Sequence, residues 1–311
     1  MFRRPCPLCG SNDSETIIEL EAEEFCRSNW SYRSDFRSIL DMGSSALFPI
    51  VRCRACSMVF ASLLPPPDFL AALYDQVIQK EQCVAGSENR SSYARRLRYV
   101  AELLDLAPAG DPIRALDFGS GLGITLRILR ACEVDGIGFD PSAVRTTYSR
   151  ESNVVIVADL EELRRRAPYA VIVLDNVLEH IPDPTLTMSL LREVSAKDAV
   201  AYVSVPPYEK AFLQREVERQ RRGEALDMTL NPWEHLNYFS LKHLDALMLR
   251  GGFRRLTAVE RTGAPVIGLR PEKSRGARLK NVIASVLRLA SYATRGDVLA
   301  TAEHAFYRRL P

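Results

Sequence analysis

The sequence predicts an α/β protein built on a doubly wound parallel sheet, with a small cysteine-bearing module ahead of it and a helical tail behind. Three observations carry this. Between residue 113 and about residue 263, short apolar runs alternate with amphipathic segments, the pattern of strands covered on both faces by helices. Two Cys-x-x-Cys pairs, Cys6 with Cys9 and Cys53 with Cys56, precede that region. A basic stretch follows it, with nine Lys and Arg against three acids from Arg270 onward.

Composition excludes several classes. Of 311 residues, 47% are apolar and 26% charged, the balance of an ordinary globular chain and not of a disordered, collagen-like or coiled-coil one. Lys and Arg number 41 against 39 Asp and Glu, and a net charge of +2 gives no general attraction to nucleic acid. No run approaches the ~18 uninterrupted apolar residues of a membrane span. Residues 1–6 lack the apolar core of a secretory signal, so a cytoplasmic protein is expected. Seven cysteines, an odd number, then point to metal ligation or burial and away from a disulfide scaffold.

Each Cys-x-x-Cys pair reads as a knuckle, and two knuckles supply the four thiolates of a tetrahedral zinc site: Cys6, Cys9, Cys53 and Cys56. Gly10 permits the left-handed turn that closes the first; Ser57 stands at that place in the second. A site closed by four cysteines has no coordination position for water, so Zn2+ here is expected to be structural. The alternative is one redox-active pair and one incidental pair. Trp30, Tyr32, Phe36 and Phe48 are candidates to pack over the metal, and the isolated Cys26, Cys83 and Cys132 are expected to be buried.

A strand at 58–60 and the stiff Pro65-Pro66-Pro67-Asp68 connector end the module, placed at 1–66. Helices are expected at 68–80 and 91–106, the second from the helical spacing of Tyr93, Leu97, Val100, Leu103 and Leu104, making 67–111 a helical linker or the N-terminal helices of the catalytic domain. In the sheet domain, 112–269, strands are expected at 113–117, 136–140, 154–157, 170–175 and 200–205. A helix around Leu241 to Met248 should end at Gly251-Gly252, before a sixth strand at 253–260. In the tail, 270–311, Leu279, Val282, Ile283, Val286, Leu287 and Ala290 recur as the stripe of a basic amphipathic helix. Such a helix packs on its own domain or a second subunit as a homodimer, or lies on an anionic membrane surface.

Ligands of open parallel sheets sit outside the carboxyl ends of the strands near the switch in strand order, so a cofactor belongs at the loop after the first strand. That loop reads Asp117-Phe118-Gly119-Ser120-Gly121-Leu122-Gly123. Alternate glycines let the backbone approach a ligand where a Cβ would clash. A dinucleotide fingerprint needs its third glycine at Ile124, which argues against a nicotinamide-dependent oxidoreductase. Asp140, at the end of the second strand, suits both ribose hydroxyls, and Asp159 followed by Leu160 ends the third, on the adenine side.

On these residues the chain resembles the class I S-adenosylmethionine-dependent methyltransferases over roughly 112–262. Asp117 to Gly123 matches their glycine-rich motif, Asp140 their ribose acid, Asp159 their adenine-side acid, and Asn176-Val177-Leu178-Glu179-His180-Ile181-Pro182 their segment after the fourth strand. Glu234-His235-Leu236-Asn237-Tyr238-Phe239-Ser240, leading to Gly251-Gly252-Phe253, also resembles the family. The resemblance implies a Rossmann-like sheet, S-adenosylmethionine as cofactor, and a cofactor site of Asp117, Gly119, Ser120, Gly121, Gly123, Asp140, Asp159, Leu160 and Asn176. The front module is similar, through residues 51–60, Pro65-Pro66 and Leu73-Tyr74, to zinc-knuckle modules of bacterial sugar, polysaccharide and natural-product methyltransferases, which implies a small-molecule acceptor.

Methyl transfer from a sulfonium is an in-line displacement, so the protein aligns the nucleophile and removes a proton where one must leave. Four histidines exist. His180, beside Glu179 at the carboxyl edge of the sheet, is the candidate base, against a capping or structural role. His235 is the second candidate, as a substrate hydrogen-bond donor or packed under Trp233. His243 is expected at the surface, and His304 has no assigned role. The insertion between Tyr208 and Trp233 carries a charged run at 216–222 and reads as a solvated helix face or as a lid with those two aromatics as walls. Nucleic acid is not an expected partner, because residues 11–24 hold six acids and no base. RNA or protein methylation, or a non-catalytic zinc-ribbon protein with a degenerate methyltransferase fold, are the rival readings.

Overall fold

The structure is a computed structural model that describes residues 2–21, 47–73, 88–108, 112–142, 147, 152–206, 208, 210–231, 233–261 and 303–311. At the front, β1 (Phe2–Arg3), β2 (Ser14–Glu21), β3 (Leu47–Cys53), β4 (Val59–Ala61) and β5 (Leu63–Leu64) form the cysteine module. Strands β2, β3 and β4 pair antiparallel, and β1 pairs antiparallel with β5. Helix α1 (Pro67–Ala72) starts on a proline, whose missing N–H is no loss in a first turn. Helix α2 (Arg90–Leu106) starts at Asn89, whose side chain accepts from the Ser92 N–H at 2.9 Å.

The main sheet is built from β6 (Arg114–Phe118), α3 (Ile124–Ala131), β7 (Asp135–Phe139), β8 (Val155–Val157), α4 (Leu160–Arg165), β9 (Tyr169–Asp175), α5 (Pro184–Val194) and β10 (Ser195–Val205). After it come α6 (Lys210–Arg221), β11 (Asn237–Tyr238), α7 (Leu241–Arg250), β12 (Phe253–Arg255), α8 (Ala258–Arg261) and β13 (Glu303–Arg309). Seven strands lie in the order β12-β13-β10-β9-β6-β7-β8, the last five parallel and β13 antiparallel to both neighbours. The chain winds outward from β6 through β7 to β8, then returns beside β6 with β9. Strand order therefore switches between β6 and β9, and the loops after these two strands meet there.

The five expected main strands are present, and several other expectations are corrected. The tail is not helical throughout: residues 303–309 are a strand within the sheet, with Ala305, Phe306 and Tyr307 buried. A strand covered on both faces shows no alternation to reveal it. The proposed amphipathic stripe, Leu279 to Ala290, lies outside the described residues. The expected sixth strand stops at Arg255, and a helix turn follows. Helix α2 packs on the sheet domain, with Tyr99, Val100, Leu103 and Leu106 in one core with Ile124, Val171 and Tyr202. Cys132 is exposed, while Cys26 and Cys83 lie outside the described residues.

The cysteine module is joined to the sheet domain, not strung ahead of it. Strand β11 extends the module's sheet by pairing with β4, Asn237 opposite Phe60 and Tyr238 opposite Val59. Cys6, Cys53, Met58 and Phe60 share a hydrophobic core with Phe239, Leu244 and Leu247. The insertion packs here too. Leu213, Tyr208 and Trp233 are buried against Ile18, Phe48, Ile50 and Val59, and Phe48 meets Trp233 edge-on at 5.0 Å instead of covering the cysteines. Trp233 is fully buried, so it does not wall an open pocket, and Glu216 in the charged run is buried and accepts from the Asp227 N–H at 2.8 Å. The rest of the charged run is the expected solvated face, with Glu218, Gln220, Arg221 and Arg222 exposed, whereas the two aromatics expected as lid walls, Tyr208 and Trp233, are buried in the packed layer. Trp30, Tyr32 and Phe36 lie outside the described residues. Among those residues no helix is long and apolar enough to cross a membrane.

Candidate active site

Gly119, Gly121 and Gly123 all adopt left-handed φ values, +74°, +54° and +71°. At Gly119 the requirement is twofold, because an added Cβ would also lie 2.6 Å from Val177 Cγ2. The glycine loop thus rests directly on the segment that follows β9. The Gly119 and Ser120 N–H groups donate to the Phe139 carbonyl at 2.8 and 3.1 Å, folding the loop over the end of β7. Gly121 faces open space, with nothing within 4 Å of the point a Cβ would occupy. Gly138 was not among the expected residues. A Cβ there would come within 2.5 Å of Ser120 Oγ, and a glycine inside a strand was the signal that could have found it.

Asp140 is buried at the end of β7, where its carboxylate accepts from the Gly121 N–H at 2.9 Å and the Ser142 N–H at 3.0 Å. Those two bonds fix its orientation toward the glycine loop. Asp117 is buried below. Burial, then the neighbouring Asp175, push its carboxyl up to about 7. Asp159 is exposed and caps α4 by accepting from the Glu161 N–H at 3.0 Å, with Leu160 beside it also exposed. Asn176 is exposed at a left-handed φ of 57°.

Beneath Asn176 lies a network that sequence reasoning missed. Arg95 of α2 grips the Asp175 carboxylate through both terminal nitrogens, at 2.7 and 2.8 Å, and Arg96 stands 3.4 Å from it. The Ser204 hydroxyl donates to the same carboxylate at 2.6 Å. Although burial opposes its charge, the Arg95 fork holds the Asp175 carboxyl below the usual carboxylate range. The ends of β9 and β10 are thereby tied to α2.

The segment after β9 brings Glu179, His180 and His235 together: one oxygen or ring nitrogen of each lies within 4.8 Å of the others. His180 Nδ1 is 2.7 Å from the Glu234 carbonyl and His235 Nδ1 is 2.8 Å from the Thr229 carbonyl. A carbonyl only accepts, so both rings carry the proton on Nδ1 and leave Nε2 with its lone pair. The rings stand 4.9 Å apart, and His180 Nε2 is 3.7 Å from Glu179 Oε1. Glu179 is buried with neither carboxylate oxygen hydrogen-bonded among the described residues, and burial raises its pKa well above the ordinary value. Burial lowers that of His235. Burial thus disfavours the charged form of both Glu179 and His235.

A model of the methyltransferase domain family matches residues 90–258, more than half of the chain. The chain belongs to the methyltransferase-domain family. Among solved structures, the plantazolicin methyltransferase BpumL in complex with SAH aligns at 15% identity and TM-score 0.48, covering 78% of this chain and 94% of that one. The cyclopropane synthase MmaA2 from Mycobacterium tuberculosis aligns at 14% identity and TM-score 0.43, covering 70% and 82%. A SAM dependent methyltransferase from Archaeoglobus fulgidus aligns at 15% identity and TM-score 0.42, covering 78% and 100%. No curated protein matches by sequence.

The methyltransferase also gathers all four cysteine sulfurs of its two knuckles within 4.8 Å, with Cys6 to Cys56 and Cys9 to Cys53 each at 3.5 Å. Both knuckles close by the same turn: the Gly10 N–H donates to the Cys6 carbonyl at 2.8 Å and the Ser57 N–H to the Cys53 carbonyl at 2.9 Å. Ser57 adopts the left-handed φ of 68° that glycine would favour. His243, expected at the surface, is instead half-buried between module and domain. Its Nε2 donates to the Cys56 carbonyl at 3.0 Å, and its Nδ1 accepts from the Ser240 hydroxyl at 2.9 Å. His304, to which no role was assigned, lies on β13 beside Tyr202, ring centroids 6.0 Å apart.

Proposed function

We propose that this methyltransferase uses S-adenosylmethionine to methylate a small-molecule acceptor, a sugar or a glycan or natural-product intermediate, in the cytoplasm. The methyltransferase fold supports that donor, and the residues at the glycine loop fit it. Ser120 Oγ is buried without a hydrogen-bond partner among the described residues, and the Gly121 face is open. When bound, the cofactor supplies an electrophilic methyl carbon on a sulfonium. In our reading Asp140 holds the ribose hydroxyls, Asp159 and Leu160 border the adenine, Asp117 and Asn176 line the amino-acid end, and Gly119, Ser120, Gly121 and Gly123 form the cradle.

The acceptor side rests on one observation, the Glu179, His180 and His235 set beside Val177 and the glycine loop. We assign His180 Nε2 to take the proton of an acceptor hydroxyl or carbon acid as the methyl arrives. His235, held neutral by burial, and the protonated Glu179 orient the acceptor by hydrogen bonds. A small-molecule acceptor is favoured by the likeness of the front module to those of sugar and natural-product enzymes. In the same reading Cys6, Cys9, Cys53 and Cys56 hold a structural zinc. Tetrahedral thiolates at ~2.3 Å from zinc stand about 3.8 Å apart, a spacing that the 3.5 Å pairs support.

The test is transfer of a labelled methyl from S-adenosylmethionine to nucleotide sugars, total RNA and protein in parallel. Label in a nucleotide sugar is expected, and label confined to RNA or protein would refute the acceptor class. With an acceptor in hand, His180→Ala should lower turnover by roughly 10²- to 10⁴-fold with cofactor affinity unchanged. Full turnover would remove His180 as the base.

A further inference from the structure

The carbonyls of the segment that carries Glu179 and His180 are gripped from one side. The Asn237 side-chain amide donates to the Leu178 carbonyl at 2.8 Å and the Ile181 carbonyl at 2.7 Å. The Leu236 and Asn237 N–H groups both donate to the Glu179 carbonyl, at 2.7 and 3.0 Å. The Pro182 carbonyl is taken by Arg4, two residues before the first knuckle cysteine, at 2.7 Å. The same guanidinium donates through Nε to the Ala61 carbonyl of β4 at 2.9 Å, and through its remaining nitrogen to the Leu236 carbonyl. It lies over the Phe60 ring, 5.5 Å from the centroid. Ala61 in turn donates its N–H to the Leu236 carbonyl at 3.0 Å.

We infer that Arg4 is a positioning residue for the acceptor-side histidines, and that the cysteine module acts on the active site through it. This rests on the reading of His180 and His235 as acceptor-side groups. Pro182 follows His180 by two residues and Leu236 follows His235 by one. The carbonyl that fixes the His180 ring belongs to Glu234, on the Leu236 side of this junction. One planar group with donors pointing three ways thus sets the spacing between the two segments, and through it the Nδ1–H form of His180. A lysine in its place keeps the charge and loses the fork. The module's sheet is the fixed edge of the clamp, since β4 carries Ala61 and β11 continues from Leu236.

The test is nitrogen-15 NMR of the imidazoles in the full chain labelled on histidine, comparing the native protein with Arg4→Gln and Arg4→Lys. His180→Gln and His235→Gln assign the two signals. In the native protein both rings should show the Nδ1–H form. Both Arg4 variants should lose most of that form at His180, with S-adenosylmethionine affinity within twofold of native. If Arg4→Gln does not fold, Arg4→Lys carries the test. Folded variants that keep the native ring signals, or an Arg4→Lys protein indistinguishable from native, would overturn the positioning role. No acceptor is needed for this readout. A native protein that fails to bind S-adenosylmethionine therefore sinks the cofactor reading alone, and unchanged ring signals with normal cofactor binding sink the clamp alone.

Discussion

Replacing Asp140 with alanine raises the dissociation constant for S-adenosylmethionine by at least about 100-fold. In the proposed reading the carboxylate accepts two ribose hydroxyls, and hydrogen bonds to a charged group contribute ~1.5–3 kcal/mol each. Losing two is about 3–6 kcal/mol, or roughly 10²- to 10⁴-fold in affinity. The substitution also frees the Gly121 and Ser142 N–H groups that the carboxylate now holds, so the cradle itself loosens. Titration calorimetry on the folded variant reads this directly, and a change below tenfold would remove Asp140 from the cofactor site.

The second large effect is expected at the knuckles, where Cys53→Ser should reduce bound zinc from one per chain to none. Structural zinc contributes ~10–16 kcal/mol of apparent folding energy in small zinc modules. Here the module is also held by β11 and by a core shared with α7, so only part of that is lost. Even a third, about 4 kcal/mol, amounts to roughly 10 °C in Tm for a domain of this size. Metal analysis and thermal melting of native and variant protein check both numbers. Zinc retained at one per chain would show that the four sulfurs are not its ligands.

The strands that frame the site were legible because parallel strands buried on both faces read as unbroken apolar runs: β9 is Tyr-Ala-Val-Ile-Val-Leu-Asp, and its acid marks the carboxyl end. The glycine loop was legible for a related reason, since only glycine tolerates three left-handed positions in five residues. Strand β13 was not. Its apolar centre is three residues long and is followed by Arg308 and Arg309, and the helical stripe at 279–290 extended the helical reading over the whole basic tail. Both arginines instead donate to backbone carbonyls within the fold, those of Asp198, Leu106 and Ser195.

The acceptor side was half legible. His180 and Glu179 are adjacent in sequence and follow a recognisable strand, and His235 stood in a segment of family-like spacing. Their joint environment was hidden, because it depends on contacts between distant segments: 54 residues separate His180 from Glu234, and 178 separate Arg4 from Pro182. The Arg95 grip on Asp175 spans 80 residues and left no local pattern. A two-residue strand such as β11 has too few positions to show a period, so the fusion of the cysteine module to the sheet domain was invisible as well.

Calorimetric titration of the zinc-loaded protein with S-adenosylmethionine, S-adenosylhomocysteine and NAD in parallel tests the central claim most directly. Saturable binding of the first two, one per chain, and none of NAD is the predicted result. Binding of NAD, or of none of the three, would contradict it.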